Sequence, residues 1–212
     1  MMAVKIWFTD IESMDAKTIA LIQKRFCTVT ETQPINYRRP IDRLRHQTGI
    51  IMAAELLGYP EIPPLTVVRG KYGKPYFEEF PGFHFNISHS GKYIVCAADE
   101  QPVGADIQES IELPQKSWHL FMTHHETLKC SCSKQALRIW SAKEAVSKCA
   151  GSGLMTLLPL IGNLPSFEEK GIVEYNNARF TLWQKQFDHD YVLSAAFVTS
   201  NDPIVEQFSF TD

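Results

Sequence analysis

No stretch of this 212-residue chain approaches the ~20 consecutive apolar residues that span a bilayer, so no membrane association is expected. The opening Met1-Met2-Ala3-Val4-Lys5-Ile6-Trp7-Phe8 lacks the basic start, apolar stretch and small-residue cleavage site of a secretory leader, and a cytoplasmic location is expected. Cysteine is scarce and odd in number. Cys27, Cys96, Cys130, Cys132 and Cys149 are scattered rather than spaced as a disulfide framework, which agrees with a reducing compartment. Cys130-Ser131-Cys132 lies near His124 and His125, but Cys-x-Cys is not a common zinc spacing and no second pair matches it; surface thiols are the better reading. An excess of either charge is also missing. With 21 Lys+Arg against 24 Asp+Glu the formal charge is −3, so no global field draws the protein to nucleic acid.

What is present is an ordinary folded composition, 44% hydrophobic and 21% charged, far from that of a disordered chain. The length suits one domain or two small, intimately packed halves. Residues 4–8 read as a strand, 16–26 as a helix, and 41–57 as a helix that ends at Gly58 and Pro60. A short strand at 65–69 precedes the turn at 70–75. Residues 83–87 alternate as a strand, and Ser88-His89-Ser90-Gly91 reads as a polar turn after it. Strands at 93–98 and 103–108 are separated by Asp99-Glu100-Gln101-Pro102, a plausible hairpin connection. Tyr93-Ile94-Val95-Cys96-Ala97-Ala98 has a near copy in Tyr191-Val192-Leu193-Ser194-Ala195-Ala196. The echo is either an internal repeat or the common preference of buried strands for small and β-branched residues.

The chemistry concentrates in two segments. Val103-Gly104-Ala105-Asp106-Ile107-Gln108 is a strand whose alternation points Asp106 and Gln108 the same way. Trp140-Ser141-Ala142-Lys143-Glu144-Ala145-Val146-Ser147-Lys148 is part of a helix over 134–149, with Glu144 and Lys148 on one face and Ile139, Ala142, Val146 and Cys149 on the other. One acid from a strand and one from a helix, with a cation beside the second, can hold a hard divalent ion against a phosphate ester. The bland readings are a solvated Asp106 and an exposed i,i+4 ion pair adding only ~0.2–0.5 kcal/mol, although Trp140 beside the pair argues against full exposure. Ser88-His89-Ser90 can be a nucleophile with its base, a buried structural histidine, or a phosphate ligand. The first is weak, because adjacent strand residues point apart and no G-x-S-x-G elbow surrounds Ser88. Arg38, Arg39, Arg43 and Arg45, with Arg69, Lys71 and Lys74, form either a phosphate-binding surface or a solvated helix face.

Phe85-Asn86-Ile87-Ser88-His89-Ser90-Gly91, then the segment at 103–108, then that at 140–148, resemble in order and spacing the motifs of Sfp-type 4′-phosphopantetheinyl transferases. Gly73-Lys74-Pro75 and a helix carrying Asp42, Arg45 and Gly49 fit the same family. The resemblance runs over 36–154 and more faintly to Pro203. It implies an α+β fold of two similar α/β halves related by a pseudo-twofold axis, 1–102 with the coenzyme A contacts and 103–212 with the metal and catalytic residues. The site would lie at their interface. It also implies transfer of the phosphopantetheine arm of coenzyme A to a serine of an apo acyl or peptidyl carrier protein, by a monomer. By position Asp106 and Glu144 match the family's Mg²⁺ ligands. Ser88, His89, Lys74 and Arg45 match residues that hold coenzyme A; Lys148 matches the lysine facing the pyrophosphate, and Lys143 precedes the metal glutamate as in the family. Glu144, Lys148 and Asp106 are the expected catalytic set. Gln108 stands where the family often has glutamate, so as a third metal ligand it brings an oxygen but no charge. Two other classes compete: a binding module that retains coenzyme A and carrier surfaces without turnover, and a metal-dependent phosphatase or nuclease.

Overall fold

The structure, a computed structural model, describes residues 4–153, 164, 169–199 and 201–210. Its first part runs β1 (Lys5–Asp10), α1 (Ala16–Phe26), β2 (Val29–Glu31), α2 (Pro40–Glu55), β3 (Leu65–Arg69), β4 (Pro75–Phe77), β5 (His84–Ser90) and β6 (Tyr93–Asp99). There follow β7 (Val103–Glu109), α3 (His124–Lys129), α4 (Ser133–Ala150), β8 (Lys170–Tyr175), β9 (Ala178–Phe187), β10 (Tyr191–Phe197) and β11 (Ile204–Gln207). Local sequence sets the helix ends. The Asp15 carboxylate accepts the Thr18 N–H at 2.8 Å and caps α1. Pro40 opens α2, where its missing N–H costs nothing. Thr123 and Glu126 form a reciprocal capping box on α3, and Gly151 ends α4 in the left-handed region at φ 63°.

Two four-stranded sheets carry the architecture, ordered β11-β1-β6-β5 and β7-β10-β9-β8, with a three-stranded sheet β2-β3-β4 alongside. Apart from the parallel pair of β1 and β11, both large sheets are antiparallel. Their centres match: β6 lies between β1 and β5, as β10 lies between β7 and β9. In each, one helix packs on the sheet, α2 on β5 and β6, α4 on β7, β9 and β10. The echoed strands are therefore the central strands of the two sheets. Tyr93, Val95 and Ala97 of one and Tyr191, Leu193 and Ala195 of the other meet in a single buried cluster with Ile6, Val103, Ala105 and Ile107. The Tyr93 and Tyr191 rings touch edge to face at 4.9 Å. Among the described residues no helix is long and apolar enough to cross a membrane.

Two expectations are corrected. Ser88-His89-Ser90 is not a turn: these residues are the last three of β5 and pair with β6, and the chain turns at Gly91-Lys92. Nor do β6 and β7 form a hairpin, because β7 pairs with β10 and belongs to the other sheet. The physical reason is the same for both. Asn86, Ser88 and Ser90, alternate residues on one face of β5, reach the free edge of β7: Asn86 Oδ1 accepts the Ala105 N–H at 2.8 Å, Ser88 Oγ that of Ile107 at 3.4 Å, and Ser90 Oγ that of Glu109 at 3.0 Å. Side chains thus satisfy the edge that a ladder would otherwise have to cover. The surface-thiol reading of Cys130 and Cys132 holds for Cys132, which is exposed, but is corrected for Cys130, which is buried; all five cysteines are free.

Candidate active site

Asp106 sits on the seam between the sheets with no exposed surface. Its Oδ1 accepts the Ser88 hydroxyl at 2.9 Å and the Lys148 ammonium at 2.6 Å, while Oδ2 accepts the Gln108 amide at 3.0 Å. The second acid arrives from α4, which packs on β7: Glu144, one helical turn before Lys148, has Oε2 3.0 Å from the same Lys148 Nζ. Lys148 also donates to Ser88 Oγ at 3.2 Å. Burial, then the negative charge of Asp106, pushes the Glu144 carboxyl up to about 7. For Lys148 burial works against the ammonium, yet the two carboxylates outweigh it and its pKa is raised.

The pair meets because β7 and α4 lie in close contact. Gly104 permits it: a Cβ there would collide with the Ala145 carbonyl and the Cys149 amide nitrogen of α4. The helix is buried on nearly every side, so Glu144 and Lys148 are no exposed ion pair. Ala142, Val146 and Cys149 pack with Val173, Phe180 and Leu182, and Trp140 meets Phe121 edge to face at 5.2 Å.

A cleft of about 350 Å³ opens beside Lys148, walled by α2, β3, β5 and the end of α4. His89 lines it from β5, its side chain on the opposite face of the strand from Ser88, and burial, then Arg45 and Lys148, hold its pKa below the usual imidazole value. Lys74 also lines it, with Nζ donating to the Val103 and Lys148 carbonyls at 2.8 Å each, so it ties the end of α4 to β7 as well. Burial lowers its pKa. Ser88 itself lies in the seam, bonded to Asp106 and Lys148, rather than among the cleft's lining residues.

Besides Ser88, two expected coenzyme A ligands are not brought to the cleft. Lys143 has no exposed surface; its ammonium donates to the Phe121 carbonyl at 2.8 Å and to Glu126 Oε2 at 2.6 Å, holding α3 and the preceding turn onto α4. Arg45 donates to the Gly91 carbonyl at 2.5 Å, pairs with Asp42 at 3.5 Å, and faces a separate depression with Lys92 and Glu109. Of the basic run, Arg69 and Lys74 line the cleft, whereas Arg39 pairs with Asp42. Sequence reading missed Tyr37, His46, Ile50, Tyr72 and Ser147 as lining residues. Asp42, His46 and Ile50 fall at i, i+4 and i+8, one face of α2, and that spacing was the available signal.

As a donor set for a hard cation, Asp106 and Glu144 offer two carboxylates and Gln108 an amide. Among the described residues no group of three or more His, Cys, Asp and Glu is arranged for a metal ion, at Cys130 and Cys132 or elsewhere. The set fits Mg²⁺, which takes one or two protein carboxylates and completes its shell with water and phosphate oxygens. The two acids already converge on one cation, the Lys148 ammonium.

The fold and site define an α+β protein with a cleft of mixed lining that reaches Lys148, behind which a carboxylate pair is buried. Comparison with known proteins gives the same family as the motifs. Residues 102–196 match the family model of the 4′-phosphopantetheinyl transferase superfamily. The chain is similar to a 4′-phosphopantetheinyl transferase of Bacillus subtilis, 40% identical over 98 residues, and to 4′-phosphopantetheinyl transferase Sfp of Bacillus subtilis (strain 168), 38% identical over 98 residues; each match covers 42% of this chain and 42% of the relative. It is also similar to 4′-phosphopantetheinyl transferase AcpT of Salmonella typhimurium, 30% identical over 128 residues, 55% of this chain and 63% of that protein. The matched stretch thus spans under half the length of the Bacillus relatives. The resemblance to Sfp-type 4′-phosphopantetheinyl transferases is borne out there, over β7, α4 and β10, which carry Asp106, Gln108, Glu144 and Lys148.

Proposed function

We propose that this protein transfers the 4′-phosphopantetheine arm of coenzyme A to a serine hydroxyl of an apo acyl or peptidyl carrier protein, releasing 3′,5′-ADP, with Mg²⁺ held by Asp106, Glu144 and Gln108. The observation that carries the reading is the meeting of Asp106 and Glu144 at Lys148, which itself lines the cleft together with Lys74 and His89 while the two acids lie buried behind it. When bound, Mg²⁺ supplies charge neutralisation at the pyrophosphate. Lys148 bridges the cleft and the carboxylates, so its ammonium is placed to take the pyrophosphate oxygens as a phosphate ligand. His89 adds a donor on the same side. The carrier serine attacks the β-phosphorus, its proton passes to Glu144, and the bond to 3′,5′-ADP breaks. Without a metal, burial and Asp106 hold the Glu144 carboxyl up; beside a bound Mg²⁺ its pKa would be lower, so that Glu144 meets the serine as a carboxylate able to take the proton. The nucleophile comes from the partner, which agrees with Ser88 being tied down by Asp106 and Lys148.

On this reading the two large sheets with their helices correspond to the two pseudo-twofold halves, 1–102 and 103–212, except that β11 of the second returns to the first sheet beside β1, and the site lies on the seam between β5 and β7. The matching centres of the sheets support it. We read the protein as a cytoplasmic monomer with no nucleic-acid partner. Gln108 favours one alternative, a coenzyme A and carrier-protein binding module with impaired turnover, because its amide donates to Asp106 where a carboxylate would add charge. Calorimetric titration with coenzyme A and Mg²⁺, followed by incubation with a panel of apo-carriers, tests both. Binding with transfer supports the enzyme, binding without transfer the module, and no binding contradicts both.

A further inference from the structure

Part of the cleft wall hangs on one acid that the cleft itself does not expose. Glu31, the last residue of β2, accepts from His46 Nε2 at 2.8 Å and from Arg69 Nη2 at 3.3 Å, both through Oε1. Its side chain is only 12% exposed, and the two donors come from α2 and β3, so a single oxygen ties three elements together. His46, Arg69 and Tyr37 line the cleft; Glu31 stands behind them. The Tyr37 ring lies over His46, centroids 5.4 Å apart and planes 30° apart.

A carboxylate can only accept, so His46 carries its proton on Nε2. Burial holds the His46 pKa below its usual value, leaving the ring neutral and Nδ1 as an acceptor. Arg69 is fixed at both ends of its fork, by Glu31 and by the Gly73 carbonyl at 3.3 Å, while its buried Nε has no hydrogen-bond partner among the described residues. Without Glu31 both the tautomer and the guanidinium plane would be free to change. The charges of Glu31 and Arg69 offset each other, so this wall is close to neutral and presents flat rings, in contrast to the cationic end at Lys148.

We propose that Glu31 is a positioning residue, which by fixing His46 and Arg69 sets how tightly the cleft holds the flat, heterocyclic end of its ligand. The proposal rests on the reading of the cleft as a coenzyme A site, and its failure can be told apart from failure of that reading. Coenzyme A is titrated calorimetrically into wild type, Glu31→Ala and Glu31→Gln, and the kinetics of transfer are measured alongside. Loss of one or two hydrogen bonds predicts that Glu31→Ala raises Kd and KM for coenzyme A about fivefold or more with kcat within about twofold, and that Glu31→Gln, which keeps an acceptor oxygen, recovers much of the loss. Equal affinity of wild type and Glu31→Ala overturns the proposal alone. So does a fall in kcat at unchanged Kd in both variants, the mark of a merely structural role. A wild-type protein that binds no coenzyme A overturns the functional reading and this proposal with it.

Discussion

The ammonium of Lys148 lies 2.6 Å from Oδ1 of Asp106, a contact between α4 and β7 that Glu144 joins at 3.0 Å. Two acids from different elements are thereby held near enough to repel, with one cation between them. Their distance in sequence hides how closely they are coupled. Removing any of the three leaves an imbalance that the buried surroundings cannot screen.

The first prediction concerns the acids. Asp106→Asn and Glu144→Gln keep the shape of the side chains but remove the charge and replace one acceptor oxygen with an NH2 donor. Each should slow transfer at least about a thousandfold, several kcal/mol of transition-state stabilisation. Asp106→Ala should in addition lower stability by about 3 kcal/mol, because Lys148 loses its nearest partner. Urea unfolding separates the two effects, and near-normal turnover by a folded variant would remove that residue from the chemistry.

Gln108 is tested by adding the missing charge. The amide donates to Asp106 at 3.0 Å, so Gln108→Glu places a third carboxylate against the pair. Without Mg²⁺ the variant should melt below wild type. With Mg²⁺ the difference should shrink, and half-maximal rate should need less of the ion, because a carboxylate binds it more strongly than an amide. An unchanged Mg²⁺ titration would show that position 108 does not face the metal.

Gly104 tests the closeness of β7 and α4. Gly104→Ala would drive a methyl group into the backbone of α4 at Ala145 and Cys149, and backbone cannot move aside as a side chain can. Stability should fall by about 2 kcal/mol or more, with activity falling beyond what unfolding explains as the acids separate. A variant as stable as wild type by urea unfolding would contradict the packing described.

His89 gives a pH dependence. In the free protein burial, then Arg45 and Lys148, hold its pKa down. A bound polyphosphate brings negative charge and raises it. The complex then binds more protons than the free protein, so affinity for coenzyme A should strengthen as pH falls from about 7.5 to 5.5, with proton uptake on binding. His89→Gln should flatten that slope, measured by calorimetry in buffers of different ionisation enthalpy. Equal slopes in wild type and variant would remove His89 from ligand contact.

The acids and Lys148 were legible in the sequence because strand alternation and helical spacing are local properties, and the three motifs kept their order. What was not legible depended on long-range pairing. Ser88-His89-Ser90 has the composition of a turn, yet Ser88 and Ser90 are polar because they stitch β5 to β7. The edge at 99–102 has the composition of a hairpin, and only the partner of β7, some ninety residues away in β10, shows that it is a crossing between sheets. Lys143 looked like a ligand by its place beside Glu144, but on a helix buried on both faces its ammonium turns to Glu126. The short strands β2, β4, β8 and β11 had no periodic signal long enough to read. With β2 went Glu31.

The most direct test is the intact mass of an apo-carrier protein after incubation with coenzyme A, Mg²⁺ and either wild type or Glu144→Gln. The account predicts that wild type adds one phosphopantetheine group at the carrier serine and releases 3′,5′-ADP in equal amount, and that Glu144→Gln, folded and binding coenzyme A, adds almost none. Unmodified carriers across the panel with wild type, or equal modification by both proteins, would contradict it.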